Sequence, residues 1–222
     1  MGFFQLLKSL DELLYEVMSW LVFYPITLWR ALRHPLKMMD YADTELGDAA
    51  DEQYTDTLSP PLFLLLTLLI SHAVELAVVG DSPIVKSTRG LDSLIMDDTS
   101  LIVLRIAMFS LFPLIMAVRL VRLQKVGIDR NTLRAPFYSQ CYVTAPFALV
   151  LGLAGALTAS RLDAAVLASA ALVVAALIWF GLLQARWFAQ HLKTGFGRGF
   201  WNASVAMIAS LIAVGVVTAL FS

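Results

Sequence analysis

The stretch AAVLASAALVVAALIWFGLL, residues 164–183, runs for twenty residues without a charged side chain. At a helical rise of about 1.5 Å per residue, a run of this length crosses the roughly 30 Å hydrocarbon core of a bilayer. A helix also pairs its backbone N–H and C=O groups within the segment, which lipid requires because it offers no hydrogen bonds. The stretch therefore predicts a transmembrane helix.

Four other stretches are predominantly apolar and 19 to 21 residues long. They are residues 61–79, 101–121, 137–157 and 201–221. Hydrophobic residues make up 59% of the chain and charged residues 15%, whereas a soluble domain carries about 45–50% and 25%. The stretches do not alternate polar and apolar residues as barrel strands do. We therefore predict an all-α protein, a polytopic bundle of five transmembrane helices forming one domain over residues 60–222.

The N-terminal region has a different pattern. Apolar residues recur at helical spacing over residues 3–21, and charged residues fall on the opposite face. Such amphipathic helices lie in the membrane interface, and we predict interfacial helices within residues 1–39, interrupted near Pro25. The alternative is a sixth spanning helix over residues 13–29. Glu16, Pro25 and the shortness of the apolar run count against it.

An acidic segment separates this region from the bundle. Residues 40–57 contain seven Asp or Glu residues and no Lys or Arg. We interpret residues 40–59 as a solvated cytosolic linker that is kept off the membrane surface. The alternative is a docking segment for a basic protein partner. The N-terminal helix is the other candidate for binding a protein partner.

The sixteen Lys and Arg residues are unevenly distributed. Twelve lie in the N-terminal region or beside the connections at 122–134 and 186–198, three lie in the opposite loops, and Arg105 lies within a helix. Basic loops stay in the cytosol, so we predict a cytoplasmic N-terminus and a periplasmic C-terminus. Abundant Ala and an excess of Arg over Lys indicate a bacterial inner membrane. The net charge of −1 provides no basic field for a nucleic-acid partner.

Three ionisable residues stand out within the predicted spans, away from their cytosolic ends: His72, Glu75 and Arg105. Such residues are expensive in lipid and are candidates for function. Glu75 and Arg105 lie at matching depths on consecutive helices, which predicts an ion pair, with His72 one turn deeper. One interpretation is a polar site or proton relay that opens outward. The interpretation that we favour is an ion pair that only fixes the register of the two helices.

A second group of candidates follows the N-terminal helix. Arg30, Arg33 and Lys37 lie close together after an aromatic stretch. Basic residues at a membrane surface each contribute about 1 kcal/mol to the binding of anionic lipid. We therefore predict that these three residues bind lipid headgroups.

Signs of catalysis are missing from the sequence. It has no GxSxG elbow, no P-loop and no HExxH motif. Cys141 is the single cysteine, and no Cys/His set has the spacing of a metal site. We expect no catalytic residue, metal or cofactor. The glycine-rich run at residues 195–199 we interpret as a flexible basic turn.

Small residues recur on the last three predicted spans, where they allow helices to approach closely. They are Gly152, Gly155 and Ala156 on the third span, Ala164, Ala168, Ala171 and Ala175 on the fourth, and Ala209, Ala213 and Gly215 on the fifth. We predict that these stripes face one another within the monomer. The alternative is a seam between two copies in a homo-oligomer.

Three short motifs are similar to those of a known family. They are ALRHP at residues 31–35, SPPLF at 59–63 and QHLKTGF at 190–196. With five predicted spans and a short C-terminal tail, they resemble the YIP (Ypt/Rab-interacting protein) family over most of the chain. The resemblance implies a membrane-organising or partner-binding protein and supplies no catalytic residues. The long amphipathic N-terminus and the His72, Glu75 and Arg105 set are not features that the family requires.

The function that we predict is that of a non-enzymatic membrane protein that binds lipids or protein partners and supports membrane organisation. The alternative is a small transporter or channel that uses the His72, Glu75 and Arg105 site. Because five helices enclose only a narrow path, the alternative implies an oligomer.

Overall fold

A computed structural model describes residues 3–50, 52–79, 98–159 and 163–220. In these four ranges the chain forms seven α-helices and no strand. The helices are α1 (Phe3–Arg33), α2 (Pro35–Glu45), α3 (Pro60–Val79), α4 (Asp98–Leu123), α5 (Arg130–Ala159), α6 (Asp163–His191) and α7 (Phe196–Leu220). The predicted all-α class is confirmed. The loop basic residues Lys86, Arg89 and Arg161, and the end of the last predicted span, lie outside the described residues.

Five of the described helices, α3 to α7, are long and apolar enough to cross a membrane. The chain is therefore an integral membrane protein with a bundle of five candidate spans. α1 is not one of these helices, so nothing supports a sixth span over residues 13–29. α1 also continues through Pro25, where the sequence predicted an interruption.

Several helices are longer than the apolar runs that predicted them. α5 begins at Arg130, seven residues before the predicted span, and α6 continues to His191, eight residues after it. Charged and polar residues end an apolar run where the hydrocarbon core ends, but they do not end a helix. The lengths of the apolar runs therefore correspond to the hydrocarbon core, and the helices extend beyond it.

α5 occupies the centre of the bundle and packs against α3, α4 and α6. Every residue from 139 to 148 is buried, so this part of α5 is covered on all sides. α3 approaches α5 closely at Gly152, because a Cβ atom there would overlap the Ser71 hydroxyl. The predicted use of small residues for close packing therefore holds at Gly152.

The alanine stripe of α6 behaves differently. Ala164, Ala168, Ala171 and Ala175 are all exposed. The buried face of α6 instead includes Ser169, Ala176, Phe180 and Leu183. The prediction that this stripe faces other helices of the monomer is wrong, because a row of small residues does not show which side of a helix is covered.

Residues 35–59, which we name the N-terminal cap, fold onto the end of α5. Met39, Ala42 and Leu58 are buried in this segment. The Ser139 hydroxyl of α5 lies 2.8 Å from the carbonyl oxygen of Met39 and 2.7 Å from the carboxylate of Asp43. This arrangement differs from the expected solvated linker, because its buried apolar residues and the hydrogen bond to Asp43 attach the segment to the bundle.

Candidate functional site

The intramembrane candidates lie where α3 faces α4. Arg105 donates a hydrogen bond to the carboxylate of Glu75, and the two groups form an ion pair. Their side chains are 20% and 11% exposed. The ion pair predicted from the matching depths of Glu75 and Arg105 is therefore present, and it joins α3 to α4.

His72 lies one helical turn from Glu75 and is only 3% exposed. Neither of its ring nitrogens has a hydrogen-bond partner among the described residues. Burying a polar group without a partner is costly, so an imidazole in this state calls for an explanation. His72 is therefore near the ion pair in sequence but is not hydrogen-bonded to it.

A cleft of about 380 Å³ opens beside the ion pair, between α3, α4 and α5. Glu75, Arg105 and Ser71 supply its polar lining. Apolar side chains such as Leu104 and Phe109 supply most of the rest. An apolar cleft with one charged pair can hold the polar group of an amphipathic molecule or a few waters. His72 does not line this cleft.

The three predicted lipid-binding residues have different surroundings. Arg30 donates a hydrogen bond to Asp56 at 2.7 Å. Arg33 lies 5.7 Å from the centre of the Trp29 ring and is exposed, as is Lys37. Arg33 and Lys37 are therefore free to meet a lipid headgroup, whereas Arg30 holds the cap.

Arg30 belongs to a hydrogen-bond chain that joins α1, the cap and α5. Tyr41 donates to the second oxygen of the Asp56 carboxylate at 2.6 Å. The Thr57 hydroxyl lies 3.2 Å from the Tyr41 oxygen and 3.3 Å from the Tyr142 oxygen. Burial alone would raise the pKa of Asp56, but the hydrogen bonds from Tyr41 and Arg30 outweigh it and lower the pKa. Asp56 therefore stays ionised and keeps the chain connected at neutral pH.

The sequence did not predict this chain, because its members come from four separate segments. It also did not predict a pair of buried amides between α5 and α6. Gln140 donates to Gln184 at 2.9 Å, and Gln184 donates to Gln140 at 2.6 Å. The available signal was a glutamine inside one apolar run and another directly after the next run, since polar side chains in spans face other helices.

The described residues contain no group of three His, Cys, Asp or Glu side chains that could hold a metal. Comparisons with protein-family models, with curated proteins and with solved structures find no match to this chain. The resemblance to the YIP family therefore stays a prediction that rests on the three short motifs.

Proposed function

We propose that this chain is a non-enzymatic, YIP-like membrane protein that organises one leaflet of a bacterial inner membrane through α1. In this proposal α1 lies in the cytoplasmic interface and binds lipid. The single observation that supports it is the exposed apolar surface of a helix that is fixed to the bundle. The excess of basic residues near the N-terminus and in the connections between spans supports the orientation.

The exposed surface of α1 extends over most of the helix. Leu14 is 56% exposed and Leu21 is 68% exposed. The other large apolar side chains that are exposed along it are Leu10, Leu13, Tyr15, Val17, Met18, Val22, Ile26, Trp29 and Leu32. In water this surface would be unfavourable, whereas the boundary between headgroups and acyl chains would bury it.

The second half of α1 is attached to the bundle. Tyr24 donates a hydrogen bond to Thr67 of α3 at 3.2 Å. The backbone N–H of Leu58 donates to the Thr27 hydroxyl at 3.0 Å, and Ala31 is fully buried. Residues 8–18, in contrast, are exposed on all sides. A helix anchored at one end and amphipathic at the other would displace lipid at a fixed place beside the bundle.

A cysteine-labelling experiment tests both the depth and the side of α1. In a Cys141→Ala background, Leu14→Cys and Glu12→Cys place single thiols on the apolar and polar faces of α1. A membrane-impermeant maleimide is expected to label Glu12→Cys in inverted vesicles but not in whole cells. Leu14→Cys should react about fivefold more slowly, since burying a side chain of the size of cysteine contributes roughly 1 kcal/mol. Equal rates at both positions would contradict the interfacial location, and labelling of Glu12→Cys in whole cells would contradict the orientation.

Variants on the apolar and polar faces of α1 also test whether the helix changes membrane shape. The shape of vesicles reconstituted with purified protein should change with the wild-type chain and not with the Leu14→Gln/Leu21→Gln variant. Glu12→Gln is the matched control on the polar face and should behave as the wild type does. If the double variant alters vesicle shape as strongly as the wild type, α1 is only an anchor and the organising function is wrong.

His72 favours a second candidate, a small oligomeric transporter that moves protons. A buried imidazole without a hydrogen-bond partner among the described residues, one helical turn from an ion pair, is the kind of intramembrane side chain that forms proton pathways in transporters. His72→Leu removes the imidazole without leaving a polar group unpaired, so the protein should stay folded. In vesicles containing a pH-sensitive dye, wild-type protein should then carry a proton flux that His72→Leu abolishes. A flux that persists in the variant, or is absent from the wild type, rules out this candidate.

A further inference from the structure

A groove between α4 and the beginning of α5 combines two arginines with an apolar floor. Its volume is about 710 Å³. The polar lining consists of Arg130, Asn131 and Arg134, and the apolar lining includes Leu114 and Phe137. None of these residues was singled out above as a ligand-binding residue.

The two guanidinium groups lie on the same face of α5. Arg130 and Arg134 are four residues apart, so their side chains start about 6 Å from each other. Arg134 lies over the ring of Tyr138, with its guanidinium carbon 5.4 Å from the ring centre, which limits the directions that the arginine can take. The pair therefore presents two forked hydrogen-bond donors to one anionic group, such as a phosphodiester.

Asp129, the carboxylate that directly precedes Arg130 in the chain, is turned away from this role. Asp129 accepts hydrogen bonds from the backbone N–H groups of Asn131 and Thr132 at 2.8 and 2.9 Å. It therefore caps the first turn of α5, and it does not line the groove. No carboxylate lines this groove, so its charge is positive.

The position of the groove fits a lipid better than a free anion. Arg130 is the first residue of α5, at the edge of the bilayer, whereas Phe137 lies two turns further into the span. Leu114 lies nine residues before the end of α4, about 14 Å along the helix axis. The predicted span beginning at Phe137 thus puts the arginines at headgroup depth and the apolar floor at the depth of acyl chains.

We propose that this groove binds one anionic phospholipid, with its phosphodiester between Arg130 and Arg134 and an acyl chain along Leu114 and Phe137. The inference shares its ligand class with the proposed function of α1, but it rests on different helices. α1 could fail to bind lipid while the groove remains occupied, and the reverse also holds.

The test compares two variants that lose the same charge. Arg130→Gln/Arg134→Gln removes both guanidinium groups from the groove. Arg122→Gln/Lys125→Gln removes two charges from the same connection, at positions that do not line the groove. The full-length chain is purified in detergent, and the binding of phosphatidylglycerol, phosphatidylcholine and inorganic phosphate is measured by native mass spectrometry. Because the four side chains are exposed, both variants should fold, and their thermal midpoints check this.

We expect the groove variant to bind phosphatidylglycerol roughly 30-fold more weakly, the effect of two basic residues at a membrane surface. The control variant should stay within about threefold of the wild type, since its charges act only at a distance. Phosphatidylcholine should bind weakly to all three proteins. If both variants lost the same amount of phosphatidylglycerol affinity, the lipid would be attracted by the general surface charge, and the proposed site would be wrong. Inorganic phosphate binding as tightly as phosphatidylglycerol, with the same loss in the groove variant, would overturn the lipid assignment.

Discussion

Replacing Gly199 with alanine is expected to lower the stability of the bundle strongly, although the substitution adds only one methyl group. A Cβ atom at this position would overlap the backbone carbonyl oxygen of Ala185 and lie 2.8 Å from the Cβ of Ala189. Because a backbone atom cannot move aside as a side chain can, α7 would have to shift away from α6. Overpacking of this kind costs about 3 kcal/mol at the upper end of its usual range.

Gly197→Ala provides the control for this substitution. Gly197 lies on the same first turn of α7, and an added Cβ would meet no atom within 4 Å. Alanine there should stabilise the helix by about 0.5–1 kcal/mol relative to glycine. Thermal midpoints of the two purified variants in the same detergent measure the difference. If Gly199→Ala unfolds at the same temperature as Gly197→Ala, α6 and α7 do not approach each other closely at this residue.

The second large effect is expected at the intramembrane ion pair, and it should be asymmetric. Glu75→Gln leaves the Arg105 guanidinium in the membrane without its carboxylate, and arginine does not lose its proton. Arg105→Gln leaves Glu75, which can bind a proton and become neutral. Glu75→Gln should therefore cost about 3 kcal/mol, and Arg105→Gln clearly less.

The double variant Glu75→Gln/Arg105→Gln completes this comparison. With both charges removed, the two amides can hydrogen-bond to each other, and stability should return to near that of Arg105→Gln or above it. Unfolding of purified protein by a denaturing detergent gives the three free energies. Equal losses of unfolding free energy in the two single variants would show that both side chains reach water. The ion pair would then contribute nothing to the stability of the bundle.

Much of the bundle could be predicted from the sequence because few backbone structures are stable in lipid. A run of about twenty apolar residues has to be a helix, so the all-helical class and five candidate spans followed from residues 61 to 221 without knowledge of packing. The pairing of Glu75 with Arg105 was predictable for the same reason. A charge in hydrocarbon needs a partner, and only residues at matching depth on neighbouring helices can provide one.

The packing of the helices could not be predicted, because it depends on which faces of the helices contact each other. The lipid environment does not determine this. Both faces of a span are apolar, so the alanines of α6 did not reveal that Phe180 and Ala176 lie on the covered side. The glycines at 195–199 were interpreted as a flexible turn, although Gly199 lies inside α7 at a point of close packing. Better signals were the polar residues within the apolar run of α5, such as Gln140 and Tyr142, since polar side chains in a span turn inward.

The contacts of the N-terminal cap determine when during synthesis it can assemble. Met39 meets Ser139, a residue 100 positions later in the chain. A ribosome that adds about 5–20 residues per second needs roughly 5–20 s to make this interval. During that time the nascent α1 and α2 lack α5, and in the proposed arrangement the membrane surface covers the exposed leucines of α1. The first helix made therefore completes its contacts only after the central helix of the bundle has followed it.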